Sequence, residues 1–177
     1  MTSWISIPTA LCSSTKPRPR PTRRYGWAPK GHRLRVGVPH GRWKTTTVVA
    51  GLRLSGMVAP MVLDGPINGA AFQAYGEQVL VPELKRGDTV IIDNLGSHKG
   101  AGVRASIEAA GAKLLYLPPH SPDFNPIENA FAKLKALLRK AAERTIDGLW
   151  NAIAALLPAF TPAECANYLA APGYDAI

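Results

Sequence analysis

The chain has 177 residues, 46% of them hydrophobic, which suggests one domain with a full core; no apolar run approaches the roughly 18 residues of a membrane span, so a spanning protein is excluded. Its 21 Lys and Arg against 12 Asp and Glu give a net charge of +9, which makes nucleic acid or another polyanion the leading class of partner. Cys12 and Cys165 have neither metal-ligand spacing nor a disulfide framework, as suits a reducing cytoplasm.

The charge is concentrated at one end. Asp64 is the first acidic residue, and eleven basic residues from Lys16 to Arg53 precede it; from Asp64 onward ten basic residues face twelve acidic ones. Residues 13–24 alternate proline with arginine, a pattern that cannot pack a core and predicts an extended or disordered arm. Pro17, Pro19 and Pro21 forbid the amphipathic helix of a transit peptide. A secretory signal also fits badly, because the charges follow the short apolar piece Trp4–Leu11.

Strands are expected at Arg33–Val38, Thr45–Leu54 and Met57–Leu63, the last two joined by a hairpin signal at Ser55-Gly56. Asn68 can cap a helix whose apolar positions are Phe72, Tyr75, Val79 and Leu80, with Gly76 costing about 1 kcal/mol inside it. Thr89–Asp93 reads as a strand buried on both faces. A helix over 101–110 ends at Gly111, and Lys113–Leu117 reads as another buried strand. A proline-rich loop, Pro118 to Pro126, leads into a long helix from Pro126 to Ala142, followed by helical pieces at 146–157 and 162–170. The order predicts a mixed α/β layer fold.

Two acids stand out. Asp93 ends the strand that looks central, where open α/β sheets bind ligands, although a turn residue is the simpler reading. Glu128 lies in the first turn of the long helix, where a carboxylate also serves the helix dipole. Ile127, Phe131, Leu134 and Leu138 form that helix's buried stripe, while Glu128, Lys135 and Arg139 share a neighbouring face. One acid with two bases suits a metal-bound anionic substrate, and equally a solvated face with an ion pair of about 0.3–0.5 kcal/mol.

The most specific string is Leu117-Pro118-Pro119-His120-Ser121-Pro122-Asp123-Phe124-Asn125-Pro126-Ile127-Glu128. Its prolines stiffen the approach to Glu128. Together with Asp93-Asn94-Leu95-Gly96-Ser97-His98-Lys99, it resembles the catalytic domain of a DDE-type insertion-sequence transposase of the mariner-like superfamily. The Asp93 to Glu128 spacing, with 34 residues between, is the superfamily's usual one. Trp43-Lys44-Thr45-Thr46-Thr47 and Leu63-Asp64-Gly65-Pro66-Ile67-Asn68-Gly69 also resemble it, so the likeness runs from about Arg23 to Tyr174.

The resemblance implies a ribonuclease-H-like mixed sheet with flanking helices over 23–177, preceded by a basic arm over 1–22. It implies phosphoryl transfer on DNA with two Mg²⁺ or Mn²⁺ ions, held by oxygen ligands as hard divalent ions require. Asp93 and Glu128 would be the second and third carboxylates, both catalytic and metal-binding. DNA, as transposon ends and target, is the implied partner, and Arg23, Arg24, Lys30, Lys44, His98, Lys99, Lys135 and Arg139 are the candidate DNA contacts. His98 is also a candidate for supporting Asp93 from behind, or for a purely structural histidine. His120 and Phe124 stand where relatives usually have tyrosine and leucine. A homodimer and a bacterial, nucleoid-associated cytoplasmic location are further expectations.

Two departures from the family pattern stand out. The family's N-terminal helix-turn-helix region is expected to be missing, since the family-like sequence starts too close to residue 1 to leave room for it. The family's first catalytic aspartate belongs on the first strand, and Trp4–Leu11 contains no acid. The expectation is a truncated or frame-shifted copy with residues 1–22 out of register, impaired in activity. The alternatives are a non-catalytic DNA-binding remnant and a related nuclease that uses Asp64 as the missing acid. Gly26 to Gly31 has P-loop glycine spacing, but His32 replaces the required lysine.

Overall fold

A computed structural model describes residues 4–7, 11–15, 29–32, 44–94, 96–119, 121–143 and 145–174. The six strands among them are β1 (Trp4–Ile7), β2 (Leu11–Thr15), β3 (Lys44–Arg53), β4 (Gly56–Asp64), β5 (Thr89–Ile92) and β6 (Lys113–Tyr116). The longer helices are α1 (Gly69–Tyr75), α2 (Ala101–Ala109), α3 (Ile127–Ala141), α4 (Ile146–Leu156) and α5 (Pro162–Ala170). The strand expected at Arg33–Val38 lies outside the described residues.

All six strands form one mixed sheet. β1 and β2 lie end to end along one edge of β3, antiparallel to it, with Ser6 opposite Leu52 and Leu11 opposite Val48. β4 takes the other edge of β3. β1 then pairs in parallel with β5, Trp4 to Thr89 through Ile7 to Ile92, and β5 in parallel with β6.

This placement corrects the expected arm over 1–22, since two of its segments are sheet strands. The physical reason is that β1 pairs with both β3 and β5, strands distant in sequence, and Ile5, fully buried, fills the core between them. The basic stretch 16–28 lies outside the described residues.

The strand and helix periods explain two cores. On one face, Val48, Ala50 and Leu52 of β3 meet Ile127, Ala130, Phe131, Leu134 and Leu138 of α3, backed by α4 and α5. On the other face, Ile5, Val49, Val90, Ile92 and Leu114 meet Phe72 and Tyr75 of α1 and Val103 and Ile107 of α2. The expected stripe of α3 is thus its buried face, and β5 is buried throughout, as a strand covered on both sides should be.

Three local differences have local causes. The hairpin turn falls on Leu54-Ser55, because Gly56, at φ 137°, already pairs with Arg53. The α1 helix widens at Gly76 into a π-helical turn, Gly76–Leu80, which brings Leu80 into the core. β6 is not a fully buried strand: as the sheet edge it leaves Leu115 49% exposed. Gly111 ends α2 in the left-handed conformation (φ 78°) as expected. Ala142 closes α3 in that same conformation (φ 54°), which favours glycine, so Ala142→Gly should raise stability by up to about 1 kcal/mol in a urea titration.

Candidate active site

Asp93 follows the last residue of β5. Val90 and Ile92 face α1 and α2, so strand alternation sends Asp93 toward the α3 side. Its side chain is only 16% exposed. The chain then turns through a short 3₁₀ segment, Gly96–His98, which folds His98 back beneath Asp93. The His98 Nδ1 lies 2.5 Å from Asp93 Oδ1.

Glu128 reaches the same region from the first turn of α3. The loop before it is fixed at several points. Pro122–Phe124 forms a 3₁₀ turn, closed by the Asn125 amide donating to the Pro122 carbonyl at 2.9 Å. The Tyr174 hydroxyl donates to the Phe124 carbonyl at 3.0 Å. Pro126 then stands as N-cap, and the Glu128 amide donates to the Asn125 carbonyl. His120 lies outside the described residues.

Glu128 senses the Asp93 charge. Glu128 holds its proton above the usual glutamate range; partial burial is the largest cause, the Lys135 charge opposes it, and the Asp93 charge adds to it. Lys135 lies two turns along α3 on the same face as Glu128, as its spacing implies. Glu128 ionisation therefore works against folding. Stability should be lost as pH rises from the unfolded glutamate value, near 4.5, through the raised folded value. Glu128→Gln should melt at a higher temperature than the parent at pH 7.5, and that gain should vanish in acid, below the unfolded value. A pH-independent difference in melting temperature would contradict this.

Asp64 does not reach this site. It ends β4, opposite Thr46 of β3, whereas Ile91 is in register through Ser6 with Leu52 of β3. Two strand residues beyond Ile91, Asp93 is thus about 13 Å along the strands and three strand spacings, about 14 Å, across from Asp64. The described parts of the family-like strings, 44–47 and Leu63–Gly69, are instead neighbours at the far edge of the sheet, where Thr47 Oγ1 donates to the Gly65 carbonyl at 2.6 Å.

The basic candidates divide. Lys99, Lys135 and Arg139 are exposed and close in sequence to the two acids; Lys30 is exposed. Lys44 begins β3, and Arg23 and Arg24 lie outside the described residues. His98 is fully buried, which corrects its expected DNA contact: the 3₁₀ turn folds its ring inward onto Phe72, at 4.0 Å between ring centres. Phe72 and Tyr116, whose hydroxyl donates to the His98 carbonyl at 3.2 Å, are legible in the sequence only as core positions.

The donor set suits a hard divalent cation: two carboxylates, with the Asp93 charge close enough to raise the cost of charging Glu128. Among the described residues no group of three or more His, Cys, Asp or Glu is arranged as a metal site.

A mixed sheet with parallel β1, β5 and β6 and an antiparallel β3–β4 flank, covered by helices on both faces, is the ribonuclease-H-like arrangement. The family model of the DDE superfamily endonuclease matches residues 14–149, and the chain belongs to that family. Solved structures agree on the fold. The Mos1 strand transfer complex superposes with a TM-score of 0.65 at 17% identity, over 95% of this chain and 49% of that one. The catalytic domain of Mos1 mariner transposase gives 0.59 at 19% identity, over 71% and 68%. The chain thus spans about half the length of the chain in the strand transfer complex. No curated protein matches it by sequence. No helix among the described residues is long and apolar enough to cross a membrane.

Proposed function

We propose that this chain is the catalytic domain of a mariner-like transposase, a class that acts on DNA by phosphoryl transfer, with Asp93 and Glu128 as two of its three catalytic carboxylates and with activity impaired by the lack of the first. The observation that carries the reading is the convergence of these two acids, one from the end of β5 and one from the start of α3, in a member of the DDE endonuclease family. Asp93 and Glu128 would hold Mg²⁺ or Mn²⁺; Mos1 catalytic-domain structures have been determined with each of these metals. Bound at this site, such ions supply activation of water or a 3′ hydroxyl and stabilisation of the leaving oxygen. The chain's own residues fix the geometry: the proline loop sets Glu128, the turn after β5 sets Asp93, and Lys135 and Arg139 offer charge to the DNA backbone.

Mn²⁺ affinity, read by electron paramagnetic resonance of the free ion, tests the site. Asp93→Asn and Glu128→Gln should each weaken it by about tenfold or more. Unchanged affinity in both variants would overturn the reading.

Transposon ends and target DNA are the proposed partners. A Mos1 structure is a paired-end complex with a transposon end, which supports two copies acting together, and the proposed location is with bacterial DNA. Binding should fall with salt by a slope of about −0.9 in log K against log salt for each phosphate contacted. Deleting residues 1–15 would remove β1 and β2, so the arm is better tested by replacing Lys16, Arg18, Arg20, Arg23 and Arg24 with glutamine. That variant should have a flatter slope. An unchanged slope would assign the phosphate contacts elsewhere, first to Lys135 and Arg139.

A further inference from the structure

We propose that His98 is a positioning residue for Asp93, holding Oδ1 so that Oδ2 alone is presented to a divalent cation. The inference rests on the reading of Asp93 as a metal ligand and goes beyond it by assigning the group that orients the ligand.

The geometry has three parts. First, Asp93 Oδ1 and His98 Nδ1 are 2.5 Å apart. An ionised carboxylate only accepts, so Nδ1 is the donor, and one of the two carboxylate oxygens is committed. Second, the imidazole is itself immobilised. It has no exposed surface, stacks on Phe72 with an interplanar angle of 21°, and has its own carbonyl held by Tyr116. Third, its other nitrogen, Nε2, is buried with no hydrogen-bond partner among the described residues.

The third point separates positioning from simple packing. A buried ring nitrogen without a partner costs free energy that an apolar ring of similar size would avoid. If this position only needed to fill the space over Phe72, phenylalanine would serve better. The imidazole offsets its cost at Nδ1, on Asp93. Metal-ligating groups are commonly fixed in this way by a neighbour that uses up one of their lone pairs, and losing that neighbour typically costs 10–100-fold in metal affinity. The line of contact runs from α1 through Phe72 and His98 to Asp93, so α1 sets the orientation of a group on the opposite side of β5.

Two variants with opposite shapes test this. His98→Phe keeps the ring and its stacking but removes the donor. His98→Asn loses the ring but keeps an N–H donor at the Nδ1 position, since both nitrogens are attached to Cγ. With Mn²⁺ as probe, His98→Phe should weaken binding about 10–100-fold, while His98→Asn stays within about threefold of the parent. A packing role predicts the reverse order. Parent-like affinity in His98→Phe, or a greater loss in His98→Asn, overturns the proposal. Asp93→Asn is the control: if it weakens Mn²⁺ binding while His98→Phe does not, only the positioning role falls. If Asp93→Asn has no effect, Asp93 is not a ligand and both readings fall. Should His98→Phe fail to fold, the metal-free parent still decides the matter. With ¹⁵N-labelled histidine, the resonances lost in His98→Asn should show the proton on Nδ1, and a proton on Nε2 with Nδ1 bare overturns the proposal.

Discussion

Replacing Arg53 with alanine should cost about 3–5 kcal/mol of folding stability, because it leaves a buried carboxylate without its partner. Arg53 ends β3 and Asp88 immediately precedes β5, and their side chains are 9% and 3% exposed. The Arg53 Nη2 lies 2.5 Å from Asp88 Oδ2 and also donates to the Glu83 carbonyl at 2.7 Å. The Lys85 amide donates to the same Asp88 oxygen at 2.7 Å. The pair thus ties the β3 end of the sheet to the turn that launches β5, and whatever loosens it loosens the strand that carries Asp93. Against a total stability of about 5–15 kcal/mol, the expected loss is a large fraction. An Arg53→Met, Asp88→Leu double variant should lose less than the sum of its single variants, since it leaves no unpaired charge, though it orphans the Lys85 amide and the Glu83 carbonyl. Urea denaturation of the parent, both single variants and the double variant supplies the cycle. A loss below about 1 kcal/mol for Arg53→Ala would show that water or the other partners compensate for the missing guanidinium.

This pair also marks the limit of what the sequence discloses. Arg53 and Asp88 are 35 positions apart, and no period or spacing links them; only the closing of β3 and β5 around β1 brings them together. The α3 face, by contrast, is legible, because Ile127, Phe131, Leu134 and Leu138 repeat at the helical period and a helix has one way to bury them. Glu128 is legible for the same reason, once Pro126 fixes where the helix begins. Asp93 is legible as the end of a run of β-branched residues. The role of His98 is not, because the direction of a single 3₁₀ turn decides whether its ring meets DNA or Phe72, and no local pattern sets that direction. β1 is hidden by the composition of its neighbourhood. The proline and arginine content of 16–24 reads as disorder, while the four residues of β1 hold their place through pairing with two strands distant in sequence.

The 177-residue chain should nick supercoiled DNA in Mn²⁺ at or near background, and Glu128→Ala should change little. Two divalent ions bring four positive charges, which the family answers with three carboxylates and the DNA phosphate. Here the sequence offers no acid before Asp64, and Asp64 lies at the far side of the sheet, about 19 Å from Asp93 by strand spacing. Metal affinity and the alignment of the attacking oxygen therefore suffer together, and misplacement by about 1 Å can already cost about a hundredfold. The register shows where an acid would help. Ser6 of β1 is paired with Ile91, two residues before Asp93 on the adjacent parallel strand. Its place alternates with that of Ile5, which belongs to the α1 and α2 side, so position 6 falls on the α3 side with Asp93 and Glu128. Neighbouring strands lie about 4.8 Å apart and two residues advance about 6.6 Å, so the α-carbons of positions 6 and 93 are about 8 Å apart. That separation lets two aspartates reach a pair of ions about 3.5–4 Å apart. Ser6→Asp should accordingly raise Mn²⁺-dependent nicking above the parent, and adding Glu128→Ala should abolish the gain. Robust nicking by the parent that Glu128→Ala removes would mean that the chain already completes its site with an acid other than Asp64. No gain in a folded Ser6→Asp protein would place the missing ligand elsewhere on the first strand.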